Sequence, residues 1–222
     1  MIKVCELVQR RPGLSVEEFQ TYWRDVHGPI VAAIGGIRRY VQCHPLSSGY
    51  RQGPLVFDGV AEIWVDDKAA LAAMANTPEF AAAKADEPNF IDTEALIELV
   101  VDEHVVKDGA APAIGVKSIG FVRFRDDLAP VAARQYWQDI HGPIAADISV
   151  LRRYEQNHVR AGAYRSGRRP AWDGMALTWF DNIDDMRRSA TEPAYAATIA
   201  DGPEFLASGP TPTILCRELV VR

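Results

Sequence analysis

The feature that most constrains this fold is an internal repeat. Residues 22–44 align without a gap with residues 136–158, an offset of 114 positions, and 14 of the 23 aligned residues are identical. Further along the chain the offset becomes 115, and Phe57-Asp58-Gly59 matches Trp172-Asp173-Gly174. Self-similarity at a fixed spacing indicates that one structural unit is present twice. The 222 residues are therefore expected to form two related halves of ordinary domain size.

The order of elements in each half predicts the fold class. In the first half, β-rich runs at 2–8, 37–44, 60–65 and 95–106 alternate with two helical segments, so each half has the order βαββαβ. This order describes a ferredoxin-like α+β unit with an antiparallel sheet. We predict halves at 1–106 and 115–222, joined by a linker at 107–114 whose Gly, Ala and Pro residues suit a connection.

The first helix carries clear start and stop signals. Ser15 and Glu18 form a capping-box pattern at its start, and Pro130 can occupy the first helical position in the second half. Its predicted buried stripe has the helical period and consists of Val16, Phe19, Trp23 and Val26. Gly28-Pro29 is expected to end the helix, because proline lacks a backbone donor and restricts the residue before it.

Composition and charge exclude several classes of protein. The chain has 24 Lys and Arg against 30 Asp and Glu, a net charge of −6, which argues against nucleic-acid binding. No apolar run is long enough to span a membrane, and the N-terminal segment reads as a strand without a signal peptide, so a cytoplasmic location is expected. The three cysteines lack C-x-x-C spacing and predict neither a disulfide framework nor a zinc site.

The acidity is confined to the first half. Residues 1–110 hold 17 acidic and 10 basic side chains, a net charge of −7, so the remainder with 13 and 14 has +1. A loop in the second half contains four arginines, Arg160, Arg165, Arg168 and Arg169. This loop could close over an anionic ligand, because arginine matches planar anions, or it could be a solvated loop that contacts the acidic half.

One face of the second strand is polar and identical in the two copies. Side chains alternate along a strand, so Arg38, Tyr40, Gln42 and His44 share a face, as do Arg152, Tyr154, Gln156 and His158 in the second copy. Two interpretations stay open. The polar residues either form a hydrogen-bonded network between packed sheets or line a functional site, and they must be paired in both cases if they are buried.

Four of the five histidines fall in the two repeated pairs. His27 and His141 lie at the expected helix end, near the negative end of the helix dipole, which favours a protonated ring that could act as an acid as well as a base. The alternative is a helix-stop residue that donates to free carbonyls. Asp58 and Asp173, each before a glycine, could orient such a histidine or serve as turn residues.

No pattern for a metal or a cofactor is present. The histidine spacing fits no zinc motif, and the sequence lacks G-x-S-x-G, G-x-G-x-x-G and the phosphate-binding P-loop. We therefore expect no metal and no cofactor.

These motifs together resemble the EthD-type domain of the dimeric α/β-barrel superfamily. The resemblance rests on Tyr22-Trp23, His27-Gly28-Pro29 and Arg39-Tyr40-Val41-Gln42-x-His44, with their counterparts in the second half, and it covers nearly the whole chain. It implies that the antiparallel sheets of the two halves pack face to face as an α/β barrel within one chain. It also implies that a ligand occupies the cleft between a sheet and its helices.

The resemblance suggests a function class. Members of the superfamily include cofactor-independent lyases, isomerases, cyclases and decarboxylases of aromatic or polyketide-like substrates, haem-using enzymes and cofactor-free monooxygenases. We predict a lyase or isomerase that acts by histidine acid-base chemistry on a small hydrophobic or aromatic molecule in catabolism or secondary metabolism. The alternatives are a non-catalytic binding or accessory protein of an ether or aromatic degradation pathway, and a haem-dependent enzyme.

The candidate residues follow from the repeated motifs. The expected catalytic residues are His27, His141, Tyr40, Tyr154, His44 and His158. The expected substrate-binding residues are Tyr22, Trp23, Tyr136, Trp137, Phe57, Trp172, Arg38 and Arg152. Differences between the copies imply that one of two sites could be silent. The predicted assembly is an internal pseudo-dimer, and a homodimer of the whole chain stays open.

Overall fold

A computed structural model describes residues 1–165, 167 and 169–222 of the chain. Within these residues the strands are β1 (Ile2–Val8), β2 (Ile37–Pro45), β3 (Gly59–Val65), β4 (Ile97–Lys107), β5 (Val116–Val122), β6 (Arg153–Val159), β7 (Gly174–Phe180) and β8 (Thr213–Val220). The α-helices are α1 (Val16–Tyr22), α2 (Gly28–Ala32), α3 (Lys68–Met74), α4 (Pro78–Asp86), α5 (Pro130–Tyr136), α6 (Gly142–Ala146), α7 (Ile183–Ser189) and α8 (Pro193–Asp201). Five-residue π-helical turns at Trp23–His27 and Trp137–His141 join α1 to α2 and α5 to α6.

The element order confirms the predicted βαββαβ halves. The capping box is present at the start of α1, where the Ser15 hydroxyl accepts a hydrogen bond from the Glu18 amide at 3.2 Å and the Glu18 carboxylate accepts one from the Ser15 amide at 2.8 Å. In the second half, Pro130 begins α5. The second helical segment of each half is in two pieces, because Pro78 and Pro193 start a new helix.

The chain forms two compact units whose boundaries lie inside strands. Unit 1 consists of residues 1–101 and 218–222, and unit 2 of residues 102–217. In unit 1 the antiparallel order is β4-β1-β3-β2. The last residues of the chain extend this sheet beside β2, where the Tyr40 amide donates to the Arg222 carbonyl at 2.8 Å. In unit 2 the order is β8-β5-β7-β6.

Strands β4 and β8 belong partly to each unit, so the predicted halves 1–106 and 115–222 exchange strand ends. The strand order β1-β3-β2-β8-β5-β7-β6-β4 consequently closes on itself as a barrel. The predicted α+β fold, with two ferredoxin-like halves in one intramolecular barrel, is confirmed. No helix among the described residues has both the length and the apolar character that a membrane span needs.

The expectation that Gly28-Pro29 ends the first helix is wrong. The helix passes through a π-helical turn, in which the Gly28 amide donates to the Trp23 carbonyl five residues earlier, and continues as α2. A π-helical turn is wider than an α-helical one, so proline fits where an α-helix would be broken. The extra residue also shifts the buried stripe by one position. Val26 is therefore 42% exposed, and His27 is buried in its place.

Candidate active site

Each π-helical turn directs a buried histidine toward a partly buried carboxylate. In unit 2, His141 Nδ1 lies 2.8 Å from Asp201 Oδ2, and the Tyr136 hydroxyl donates to the other oxygen of Asp201 at 2.7 Å. The ring of Phe205 packs against His141 with 4.8 Å between the ring centroids. Unit 1 repeats the arrangement with His27, Asp86, Tyr22 and Phe90. The histidine ring is thus fixed by a hydrogen-bonded Tyr-Asp-His chain.

This geometry sets the protonation state of the histidine. An ionised carboxylate can only accept, so His141 donates from Nδ1 and presents Nε2 as an acceptor. Burial lowers the pKa of His141, and the hydrogen bond and charge of Asp201 only partly offset this. The helix-dipole expectation of a protonated ring is therefore wrong, because the helix does not end at this residue. A neutral ring at neutral pH is suited to act as a general base.

His141 lines a large cavity in unit 2 between the sheet and α8. The cavity has a volume of about 1030 Å³, and Trp137, Phe205 and Leu206 form its inner apolar wall. Small and hydroxyl-bearing residues of β5, β7 and β8 form the sheet side: Ser118, Gly120, Ala176, Thr178 and Thr213. The charged lining residues are Arg125, Asp126 and Asp127. A volume of this size accommodates a molecule of several fused rings.

The corresponding space in unit 1 contains charged side chains. Glu6 stands where unit 2 has Gly120, and the two residues pair with equivalent alanines of the neighbouring strand. Lys84 Nζ lies 3.3 Å from Glu6 Oε1 and 2.7 Å from Glu87 Oε1. Lys84 and Glu87 occupy the positions of Ile199 and Gly202 in unit 2. The ion-pair cluster Glu6-Lys84-Glu87 therefore stands at three positions whose counterparts, Gly120, Ile199 and Gly202, line the open cavity of unit 2.

The polar face of the second strand packs on the π-helical turn. In unit 2, Gln156 Nε2 donates to the Trp137 carbonyl at 2.8 Å and to the Tyr154 hydroxyl at 3.1 Å, and Gln156 Oε1 lies 3.0 Å from His158 Nε2. The same network in unit 1 joins Gln42 to Trp23, Tyr40 and His44. Burial raises the pKa of Tyr154 to about 12, which keeps its hydroxyl neutral. The network joins sheet to helix and positions the histidine turn.

His141 and His158 of unit 2 do not line the same cavity. His158 lies against the ring of Trp137, with 4.6 Å between centroids, and lines a second cavity of about 250 Å³. Trp137 and His141 line the large cavity. The sequence placed both histidines in one acid-base set because it cannot show that the indole separates them.

Other candidates from the sequence lie apart from the histidines. Arg38 is exposed, and its Nη2 lies 2.5 Å from Asp66 Oδ2. Arg152 is also exposed, and its Nε lies 3.4 Å from Asp181 Oδ1. The remaining candidates are Trp172, whose ring packs on Phe121 with 5.7 Å between centroids, and Phe57, which is buried. Tyr22, Trp23, Tyr136 and Trp137 are brought to the histidine turns.

Sequence reasoning missed the carboxylates that orient the histidines. Asp58 and Asp173 accept from the Tyr50 and Tyr164 hydroxyls at 2.9 and 2.7 Å, and so fasten the loops before β3 and β7. The orienting carboxylates are Asp86 and Asp201, about 60 residues after the histidines they contact. Asp86 and Asp201 occupy matching positions of the repeat, 115 residues apart. This match is the sequence signal from which they could have been predicted.

The glycine of the His-Gly-Pro motif is required by a close approach of glutamine to the helix. A Cβ atom on Gly142 would stand 2.8 Å from Gln156 Nε2, and one on Gly28 would stand 3.1 Å from Gln42 Nε2. Both distances are tighter than ordinary packing allows, so a side chain at either position displaces the amide that holds the π-helical turn.

We expect Gly142→Ala to destabilise the protein by about 1–3 kcal/mol, the usual cost of overpacking. Urea unfolding measures the change in the free energy of unfolding. Gly162→Ala is the matched control, because its Cβ would meet nothing within 4 Å. Equal stability of the two variants would show that the glutamine contact does not matter.

One group of potential metal ligands exists among the described residues, in unit 1. Single ligand atoms of Cys43, Glu62 and Glu218 lie within 4.8 Å of one another. Lys3 Nζ lies 2.6 Å from Glu62 Oε1 and is buried with it. An ammonium group at this distance competes with a metal cation for the carboxylate, so the group is poorly suited to hold a metal.

The large cavity of unit 2 does not fit haem. A haem group carries two propionates, which proteins commonly pair with cations. The charged lining residues offer one guanidinium, Arg125, whose Nη2 lies 2.6 Å from Asp127 Oδ2, together with the carboxylate of Asp126. Asp126 in turn lies 2.5 Å from Arg169 Nη1, so the cations described on this side of the cavity are already paired with carboxylates and are not free to bind propionates.

Part of the arginine-rich loop has defined partners. Arg160 Nε lies 3.1 Å from Asp102 Oδ1, and Arg169 Nη1 lies 2.5 Å from Asp126 Oδ1. Arg168 lies outside the described residues. Asp102 belongs to the acidic residues 1–110, so the Arg160 contact is of the kind expected for a loop that contacts the acidic half, whereas Asp126 belongs to the second half. Both carboxylates lie in unit 2.

Comparison with known proteins agrees with this architecture. The EthD domain matches the chain twice, at residues 11–94 and 125–209. An anthrone oxidase-like protein of known structure is similar over 99% of this chain and 93% of its own, with 10% identity and a TM-score of 0.64. A mutant chlorite dismutase from Candidatus Nitrospira defluvii is similar over 97% of this chain and 91% of its own, with 10% identity and a TM-score of 0.55.

An EthD family protein from Bacillus halodurans C-125 matches 47% of this chain over 100% of its own, with 21% identity and a TM-score of 0.39. No curated protein matches the sequence. At these identities the likeness to solved structures concerns the fold alone. The two domain matches cover more than half of the residues, and the chain therefore belongs to the EthD domain family, with two copies of the domain in tandem.

Proposed function

We propose that this protein is a cofactor-independent enzyme of the lyase or isomerase type whose site is the large cavity of unit 2. The observation that carries the proposal is the hydrogen bond between buried His141 and partly buried Asp201, with His141 at the wall of a cavity of about 1030 Å³. A neutral histidine held by a carboxylate is a typical general base, and proton transfer by such a group contributes about 10²- to 10⁴-fold to a rate.

The lining supports a large, mainly hydrophobic substrate. Trp137, Phe205 and Leu206 offer an apolar surface for fused rings. On the sheet side, Ser118 and Thr178 are paired across β5 and β7, and their hydroxyls could donate to a carbonyl or phenol oxygen. The equivalent pair in unit 1 is Val4 and Ile63, which cannot donate. An aromatic or polyketide-like compound has the matching chemistry.

The chemical step follows from these groups. His141 Nε2 removes a proton from a carbon next to a substrate carbonyl, and the bonding electrons move into an enolate. Asp201 stabilises the imidazolium that forms, as in other carboxylate-histidine pairs. The proton returns to the oxygen or to a second carbon, which completes an isomerisation, or it assists departure of a hydroxide as water, which completes a dehydration. No electron acceptor is consumed.

The proposal is tested with anthrone, which tautomerises by losing a proton from the methylene carbon of its central ring. The flanking aromatic rings conjugate this carbon with the carbonyl, so the bonding electrons move into an enolate as in the proposed step. Under nitrogen in D₂O, NMR follows the exchange of its methylene hydrogens for deuterium. We expect the protein to accelerate exchange and His141→Ala to reduce the acceleration by about 10²- to 10⁴-fold. His27→Ala is the matched control, because it removes the same buried hydrogen bond from unit 1.

Each result decides between functions. Equal losses in His27→Ala and His141→Ala, accompanied by equal losses of stability, would make the histidines structural. Binding of anthrone in the cavity with exchange at the solvent rate would make the protein a carrier of hydrophobic compounds, the accessory role that the sequence left open. A Soret band after purification or after addition of haem would contradict the cofactor-independent proposal.

A further inference from the structure

The second cavity of unit 2 has no role in the proposed reaction. It has a volume of about 250 Å³ and lies beside α5 and β6. Its apolar lining includes Phe124, Pro130, Val131 and Val159, and its polar lining includes Arg134 and His158. Val131 is 75% exposed, so it stands at the rim, whereas His158 is 1% exposed and forms part of the inner wall.

The hydrogen bonds of His158 fix what its ring can offer. Both donor contacts of the Gln156 amide nitrogen are used, to Trp137 and Tyr154, so its oxygen faces His158 Nε2 and accepts from it at 3.0 Å. The ring therefore carries its proton on Nε2, and Nδ1 is an acceptor. Among the residues that the structure describes, none donates to this buried Nδ1.

A buried acceptor of this kind favours a ligand that donates. An unmade hydrogen bond in a buried place is costly, so a group that donates to Nδ1 is stabilised relative to an apolar one. Burial lowers the pKa of His158 to about 3, so the ring stays a neutral acceptor at physiological pH.

The charges beside the cavity further restrict the kinds of ligand that it can bind. Arg134 and Arg160 both contact Asp102, at 3.3 and 3.1 Å, which leaves one net positive charge on the three groups. Arg160 Nη1 is buried and lacks a hydrogen-bond partner among the described residues. The buried carboxylate of Asp173 also lines the cavity and accepts from the Tyr164 hydroxyl at 2.7 Å. The charges of Arg134, Arg160, Asp102 and Asp173 therefore balance, which favours a neutral ligand.

Unit 1 lacks this combination of groups. Gln20 stands at the position of Arg134 and donates to the Pro45 carbonyl at 2.9 Å. His44, the counterpart of His158, is only partly buried, and no counterpart of the unsatisfied Nδ1 occurs there. The features therefore belong to unit 2 and do not follow from the repeat alone.

We propose that the second cavity is a binding site for a small hydroxyarene of about the size of phenol, whose hydroxyl donates to Nδ1 of His158. The apolar side chains enclose the ring, and the balanced charges of the lining residues Arg134 and Asp173 suit a neutral molecule. The site is separate from the large cavity, since the Trp137 ring contacts His158 on one side and lines the large cavity. It therefore stands independently of the proposed reaction.

The test uses phenol, and toluene as the analogue without a hydroxyl. The full chain labelled with ¹⁵N is titrated with each compound at up to roughly millimolar concentration, the affinity range for so small a ligand. We expect phenol to shift the His158 Nδ1 resonance and to leave the His141 resonances unchanged. Toluene should bind about three- to tenfold more weakly, since it forms no hydrogen bond.

A rim variant locates the binding. Val131→Trp should block the entrance and lower the apparent affinity for phenol at least tenfold. Glu17→Trp is the matched control at the equivalent exposed position of α1 in unit 1, and should bind phenol as the unmodified chain does. An unchanged phenol affinity in Val131→Trp, or a shift at His141 instead of His158, overturns the proposal. So does an unmoved Nδ1 resonance in the unmodified chain, which would mean that only water reaches this atom.

Discussion

Gly120→Glu is expected to abolish binding of anthrone in the large cavity of unit 2. A Cβ atom at this position meets its nearest neighbour, Thr211 Cγ2, at 3.6 Å, which is ordinary contact. The backbone can therefore accept a side chain, and the rest of the glutamate extends into the cavity as Glu6 does in unit 1. Burial of an unpaired carboxylate beside fused rings is unfavourable, so affinity should fall more than a hundredfold.

The double variant Gly120→Glu with Ile199→Lys separates blockage from misfolding. It recreates in unit 2 the Glu6-Lys84 pair of unit 1, with charges that compensate each other. We expect it to unfold near the transition of the unmodified chain and still not bind anthrone by saturation-transfer NMR. Gly162→Glu, with the same change in charge at a position with open space, should bind normally. Retained binding in the double variant would show that the ion-pair cluster does not close the cleft of unit 1.

Mild acid is expected to destabilise the protein through its buried histidines. Burial lowers the pKa of His44 to about 4 and that of His158 to about 3, against an ordinary value of 6.5. The unfolded chain therefore binds more protons than the folded one below pH 6.5, and stability that is present above this pH is lost as the pH falls toward 4. For each group the slope is about 0.7 kcal/mol per pH unit at pH 6.5 and rises toward about 1.4 below it, so together they cost about 3 kcal/mol between pH 6.5 and 5.

Urea unfolding at several pH values measures this dependence. His44→Gln and His158→Gln together remove the two titrating rings and keep a polar side chain in each place. The double variant should lose much less stability between pH 6.5 and 5 than the unmodified chain, whatever its stability at pH 7. The pKa values of His27 and His141 are also lowered by burial and leave a residual slope of the same sign. An unchanged slope in the double variant would mean that these rings are hydrated in the folded state.

The sequence was sufficient for the fold because its information is local and repeated. Strand patterns, a capping box and an offset of 114 residues each depend on near neighbours or on simple comparison. The grouping of Tyr40, Gln42 and His44 on one face was also accessible, because alternation along a strand is fixed. The partner of this face could not be predicted, because Gln42 donates to the backbone carbonyl of Trp23, which lies on a different element.

The parts of the site that the sequence did not predict depend on contacts between distant residues. The π-helical turn exists where a glutamine from another element donates to a carbonyl of the helix, and helical periodicity does not report such a bond. Asp201 reaches His141 only after two further helices and two strands have folded. The difference between the two clefts arises from Glu6 and Lys84, 78 residues apart, whose charges cannot be paired before the sheet is known.

Strands β4 and β8, which the two units share, also determine the order in which the chain can fold. The sheet of unit 1 is completed beside β2 by residues 218–222, and the Tyr40-Arg222 bond closes a loop of 182 residues. Contacts of such long range form late in folding, because closing a long loop has a large entropic cost. During synthesis, the first unit therefore keeps an open sheet edge beside β2 until residues 218–222 have left the ribosome. Protection of this edge from premature aggregation therefore depends on a segment that is made only after the whole of unit 2.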